Sequence, residues 1–158
     1  TCRLNLCIIS NWCARPYLLL RAVIWWCALT SSSLISIVDD DPSIREATMS
    51  LLEAYGYTAA AFASAEEFLD SEQLAHTSCL VTDVRMTGLS GIELFRHMLS
   101  VGYRIPTIFV TAHPEAHVRT TALNMGARCF LAKPVREESL ISCLEGALSG
   151  HSTEPAEH

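Results

Sequence analysis

Lysine is nearly missing from this chain of 158 residues: Lys133 is the single one, and the other ten basic side chains are arginines. Acidic groups outnumber basic ones by 17 to 11, for a formal charge of −6. The imbalance is uneven. Residues 1–33 hold Arg3, Arg15 and Arg21 and no acid, whereas residues 34–158 hold eight basic and all seventeen acidic groups, a net of −9. A surface of that sign repels a phosphate backbone, which argues against direct nucleic-acid binding. Neither G-x-G-x-x-G nor G-x-x-x-x-G-K-[ST] occurs, so the two common nucleotide-binding loops are excluded. The seven cysteines form no C-x-x-C pair; Cys2, Cys7, Cys13 and Cys27 crowd the first segment, and Cys79, Cys129 and Cys143 sit in apolar patterns. They are expected to be free thiols in a reducing compartment, the cytoplasm, rather than a zinc site or a disulfide framework. No internal repeat is visible.

A long hydrophobic run is also lacking. The most apolar stretch, Tyr17 to Leu29, covers thirteen residues and is interrupted by Arg21. As a helix it spans about 20 Å, against about 30 Å of bilayer hydrocarbon. Its composition fits the apolar part of a targeting segment, or a membrane-surface helix anchored by Trp25 and Trp26. The first methionine, however, is Met49, inside an expected helix. Residues 1–33 are therefore expected to lie outside the fold, as a fragment or translated upstream sequence, with a targeting role as the alternative. The polar residues from Ser149 to His158 are expected to be disordered.

The whole chain is 50% apolar, as a globular protein is, and what remains, residues 34–148, is long enough to bury a full core. It alternates regularly. Leu34 to Val38 is a short apolar strand ending in Asp39-Asp40-Asp41. Pro42 suits a first helical turn, and Ile44, Met49, Leu51, Leu52 and Tyr55 make a helical stripe stopped by Gly56. Thr58 to Phe62 is a second strand, and Ser64-Ala-Glu-Glu67 is a capping box for a short helix. Cys79 to Asp83 is a third strand, followed by a second capping box, Ser90-Gly-Ile-Glu93. Thr107 to Thr111 is a fourth strand, and Pro114 leads a helix to Met125. Arg128 to Leu131 is a fifth strand, followed by Lys133-Pro134 and a last helix from about Glu137 to Leu148. Strict alternation of this kind predicts an α/β fold: a parallel, doubly wound, flavodoxin-like sheet of order 2-1-3-4-5, covered on both faces.

Such sheets place their sites at the carboxyl edge, where the strand order reverses. Asp83 alone could be a loop cap. Other strands send complementary groups to the same edge: Asp39 and Asp40 from the first, Thr111 from the fourth, and Lys133 after the fifth. Three carboxylates in one place repel one another unless a cation neutralises them. A hard divalent ion such as Mg²⁺, taking carboxylate, water and phosphate oxygens, fits that set. Lys133 would pair with Asp83 and then with arriving phosphate oxygens, and Thr111 would donate its hydroxyl to them. Together these groups describe a phosphoacceptor carboxylate.

Val-Asp-Asp-Asp, Val-Thr-Asp-Val-Arg-Met, Phe-Val-Thr-Ala-His and Ala-Lys-Pro, in that order and at these intervals, resemble the receiver domain of a two-component response regulator of the NarL/FixJ type. The resemblance covers residues 34–148. It implies that Asp83 is phosphorylated by a histidine kinase or a small phosphodonor, making an aspartyl phosphate that hydrolyses slowly. It implies that Asp40 and Asp83 ligate Mg²⁺, that Asp39 acts mostly through water, and that Arg85 supplies its backbone carbonyl. Thr111 and Phe130 would be the switch pair and Lys133 the phosphate-pairing cation, with a cis Lys133–Pro134 bond. The switch would remodel the surface of the fourth helix, fifth strand and fifth helix, which is also the expected homodimer face. Arg85 and His113 would tune the lifetime of the phosphate. The family usually has proline where this chain has Thr87, a change expected to loosen the loop beside Asp83.

Blander readings stand beside these. Phe130 fits a plain core position, His113 a solvated loop, and Asp41 a helix cap rather than a metal ligand. Leu94, Phe95, Met98 and Leu99 read as core. Two other functions fit part of the set: a Mg²⁺-dependent phosphohydrolase with an aspartyl nucleophile, and an unphosphorylated pseudo-receiver that only binds partners. The first would carry Asp-x-Asp on the first strand, where this chain has adjacent Asp39 and Asp40.

Overall fold

A computed structural model describes residues 33–150. The expectations for residues 1–32 and 151–158 lie outside the described residues. Within them, five strands alternate with helices: β1 (Leu34–Val38), α1 (Pro42–Ala54), β2 (Thr58–Phe62), α2 (Ala65–Leu69), a 3₁₀ turn (Glu72–His76), β3 (Cys79–Asp83), α3 (Gly91–Ser100), β4 (Thr107–Thr111), α4 (Ala116–Asn124), β5 (Cys129–Ala132) and α5 (Glu137–Leu148). All pairings are parallel and the order is β2-β1-β3-β4-β5. The flavodoxin-like expectation is met. The ends differ slightly from it: β5 runs one residue later, and Pro114 precedes α4 rather than opening it.

Period-two alternation divides the core between the two faces of the sheet. Ile35, Ile37, Val81, Ile108 and Val110 pack toward Leu52 of α1 and Leu140, Ile141 and Leu144 of α5. Val38, Leu80 and Phe109 pack on the opposite face with Phe68, Leu94, Phe95 and Met98 of α2 and α3. The central strands β3 and β4 are buried throughout, whereas the edge strands β2 and β5 are only partly covered. In α1 the expected stripe is narrower than drawn: Leu52 is buried, but Ile44 and Tyr55 face solvent.

The helix starts explain why the chain turns where it does. Asp41 caps α1, accepting from the Ser43 and Ile44 amides, so the cap reading holds for it. Ser90 and Glu93 form the expected reciprocal box at α3. Glu93 is held below the ordinary carboxylate value by the Ser90 hydroxyl and amide. Gly91, the first residue of α3, touches the end of β3: a Cβ there would lie 2.0 Å from the Asp83 carbonyl oxygen. Helix and acid-bearing strand thus meet with no room for a side chain.

One expectation is overturned. Cys129 of β5 and Cys143 of α5 are joined by a disulfide, so the later cysteines are not all free thiols. Each sits on the inward face of its element, and folding brings together two sulfurs that the sequence separates by 14 residues. Cys79 is free and buried, and burial pushes its thiol up to about 12.

Candidate phosphoacceptor site

β1 and β3 are neighbours, so their carboxyl ends deliver Asp39, Asp40 and Asp83 to one place. Oxygens from all three lie within 4.8 Å of one another. Asp39 and Asp83 are buried and Asp40 is exposed. A cis peptide joins Lys133 to Pro134, as expected, and Lys133 Nζ lies 2.7 Å from Asp39 Oδ2 and 2.6 Å from Asp83 Oδ2. Burial alone would lower the Lys133 pKa; the hydrogen bonds and charges of Asp39 and Asp83 outweigh it and hold the ammonium above its usual 10.5. One cation therefore partly neutralises two buried acids. The pairing with Asp39 was not expected from the sequence, where this carboxylate was assigned a role through water.

The other expected residues occupy the rim. The Arg85 amide donates to Asp83 Oδ1 at 3.0 Å, so Asp83 does cap its own loop as well as facing Lys133. The Arg85 guanidinium donates to Glu115 and leans toward the loop after β4. Thr111 is buried at the end of β4, and its hydroxyl accepts from the His113 amide at 3.2 Å. The Lys133 amide donates to the Thr111 carbonyl at 2.8 Å, tying the two strand ends together. His113 is exposed. Phe130 is half-buried and packs on Phe109 with ring centroids 6.2 Å apart. A cleft of about 320 Å³ between α1 and α5, lined mainly by apolar side chains, has Asp39, Asp83 and Lys133 in its wall.

Thr87 does not leave its loop unattached. Its amide and its hydroxyl reach Asp40 Oδ2 at 3.1 and 3.3 Å, and the next turn is tied by the Leu89 amide to Glu66 Oε1 at 2.9 Å. Glu66 is held below its ordinary value by its own backbone amide and that of Leu89. The sequence marked Thr87 only as a departure expected to loosen the loop, and it showed no role for Glu66 or Glu115. At Thr87 the signal for an anchoring role was there: threonine offers an N–H and an O–H where a proline would offer neither.

Residues 35–145 match the response regulator receiver domain family. The chain belongs to that family. The resemblance to FixJ-type receivers is met by its relatives. Response regulator protein TodT of Pseudomonas putida is 37% identical over 117 residues, 74% of this chain and 52% of TodT. Transcriptional regulatory protein FixJ of Bradyrhizobium diazoefficiens is 34% identical over 128 residues, 81% of this chain and 62% of FixJ. Among solved structures, the receiver superposes on FixJ-N with a TM-score of 0.70 at 30% identity, covering 79% of this chain and all of that one. It superposes on response regulator StyR with a TM-score of 0.71 at 36% identity, covering 77% of this chain and 61% of StyR. The chain spans about half the length of TodT, 52%. Among the described residues, no helix is long and apolar enough to cross a membrane.

The acid pocket suits a hard cation. Its donors are three carboxylates, two buried and one exposed, with one partly buried ammonium to offset them. Oxygen donors of this kind, open to water on one side, fit Mg²⁺.

Proposed function

We propose that this receiver accepts a phosphoryl group on Asp83 and works as a two-component signalling switch in the bacterial cytoplasm. The observation that carries the reading is the Lys133 ammonium 2.6 Å from Asp83 Oδ2, with Asp39 and Asp40 gathered beside it. The receiver unit spans residues 34–148. Asp40, Asp83 and the Arg85 carbonyl would hold Mg²⁺, with Asp39 acting through water; bound there, the ion neutralises charge on the transferring phosphoryl group.

An Asp83 carboxylate oxygen attacks phosphorus, the bond to the donor's imidazole nitrogen or acyl oxygen breaks, and the electron pair leaves with the donor. The product is an acyl phosphate on Asp83. The chain contributes position and charge rather than further covalent steps. Lys133, already fully charged, transfers from Asp83 to a phosphoryl oxygen. Thr111 turns its hydroxyl inward, and Phe130, only half-buried against Phe109, follows into the vacated space. The surface of α4, β5 and α5 changes as a result, which is the face for a homodimer or output partner. Water attacking in line resets the switch, with Arg85 and His113 at the rim setting its rate. The phosphoryl source is a histidine kinase or a phosphotransfer protein, and the chain has no other catalytic activity.

The test is incubation of the protein with acetyl phosphate and Mg²⁺, followed by intact mass. One phosphate adduct is expected, absent from Asp83→Asn. Sustained hydrolysis of phosphate esters would instead establish a phosphohydrolase, and the lack of any adduct a pseudo-receiver.

A further inference from the structure

Asp40 is the exposed member of the acid cluster. Asp39 and Asp83 are buried and pinned by Lys133, whereas Asp40 lies outside that pair and is repelled by both. A carboxylate so placed gains by rotating out to water, where it would be lost as a ligand. Two donors oppose that. The Thr87 amide and hydroxyl converge on the same oxygen, Oδ2, at 3.1 and 3.3 Å, across a separation of 47 residues.

Thr87 can do this because its loop is itself held. The Arg85 amide bonds Asp83 Oδ1, the Gly91 amide bonds the Val84 carbonyl at 3.1 Å, and the Leu89 amide bonds Glu66. Gly88 sits at φ +82°, and a Cβ there would lie 2.8 Å from Glu66 Oε1, so the chain passes close against that carboxylate. The loop is a fixed mount between the acceptor strand and α3, and Thr87 is the point at which it touches Asp40.

We propose that Thr87 is the positioning residue for Asp40: it holds Oδ2 and leaves Oδ1 free of that contact, so that the carboxylate is preset beside Asp39 and Asp83 before the ion arrives. This rests on the reading of the cluster as a Mg²⁺ site. Outer hydrogen bonds of this type orient a ligand and typically set metal affinity by about 10- to 100-fold. A proline at position 87 would abolish both donors, whereas a valine would abolish the hydroxyl and keep the amide.

The experiment is a Mg²⁺ titration followed by amide chemical shifts, without phosphodonor, on wild type, Thr87→Ser, Thr87→Val, Thr87→Pro and Asp40→Asn, with urea unfolding of each. Thr87→Ser is expected to bind as wild type. Thr87→Pro is expected to bind about 10-fold more weakly, at the lower end of that range because Asp40 is exposed, and Thr87→Val several-fold more weakly, below it because the amide donor remains. Equal affinity in wild type, Thr87→Val and Thr87→Pro overturns the proposal, whatever the urea midpoints do, since a purely structural contact would move those alone. A wild type that shows no saturable shift, and that Asp40→Asn does not alter, overturns the metal reading as well.

Discussion

Lys133 Nζ lies 2.6 Å from Asp83 Oδ2, although the two residues are 50 apart in the chain. The same ammonium lies 2.7 Å from Asp39, so a single cation stands between two buried acids. Its removal leaves both carboxylates in a poorly solvated place without a counter-charge.

Lys133→Met should therefore destabilise the receiver by about 3 kcal/mol, the lower end for breaking a buried pair. Mg²⁺ should restore part of that loss, because it supplies the missing positive charge. Urea unfolding with and without the ion measures both. A variant as stable as wild type in metal-free buffer would contradict the pairing.

Gly91→Ala should cost more than an ordinary helical substitution. Its new Cβ would lie 2.0 Å from the Asp83 carbonyl oxygen and 3.0 Å from Thr82 Oγ1, and backbone cannot give way as a side-chain tip can. A loss of about 3 kcal/mol is expected, at the top of the usual range for overpacking. Amide shifts at Asp83 should move with it. Gly102→Ala meets nothing within 4 Å, so only its φ of +96° opposes it, and it should cost less.

The Cys129–Cys143 disulfide closes a loop of 14 residues between β5 and α5. A loop of that size is worth about 3 kcal/mol through the entropy of the unfolded chain. Cys143→Ser should lower the urea midpoint accordingly. Wild type treated with reductant should fall to the same value, and reductant should not affect the variant.

Alkaline pH should weaken the fold in a defined window. Cys79, raised by burial from 9.0 to about 12, holds its proton in the native state while the unfolded thiol ionises. Tyr57, raised chiefly by burial, behaves alike, and Lys133 is raised from 10.5 by Asp39 and Asp83 against its own burial. For all three the native state binds protons more tightly, so the stabilisation is complete below pH 9 and falls as pH rises through 12. Cys79 alone contributes at most about 4 kcal/mol, from about 1.4 kcal/mol per pH unit. Thermal unfolding between pH 8 and 11 should show the decline, and Cys79→Ala should remove its onset between pH 9 and 10. A flat profile in wild type would count against a buried Cys79.

The fold was legible because its signals are local. Each strand of β1 to β5 is a short apolar run closed by turn residues, and Ser64, Ser90 and Asp41 mark helix starts by their own chemistry. The candidate site followed from counting what the strands end in: Asp39 and Asp40, Asp83, Thr111, and Lys133 just beyond. What stayed hidden were contacts in which neither partner is unusual alone. Glu115 reads as a helix-start acid, yet it engages Arg85 across 30 residues. Glu66 reads as a first-turn acid beside the Ser64–Glu67 capping pair, yet it ties down Leu89. Cys129 and Cys143 read as two apolar positions, and only the packing of α5 on β5 makes them a bond.

The sequence by itself determined the alternation of strands and helices, the doubly wound parallel sheet that the alternation implies, and the membership of Asp83 in an acid cluster. Periodicity and capping act over a few residues, and a linear text records them. Only the tertiary structure decided how that cluster is balanced: Lys133 shared between Asp39 and Asp83, and Asp40 left to Thr87. Hydrogen-bond and ion-pair partners are chosen by distances of about 3 Å, and such distances exist only once strands β1, β3 and β5 and the loop after β3 have been brought to one edge.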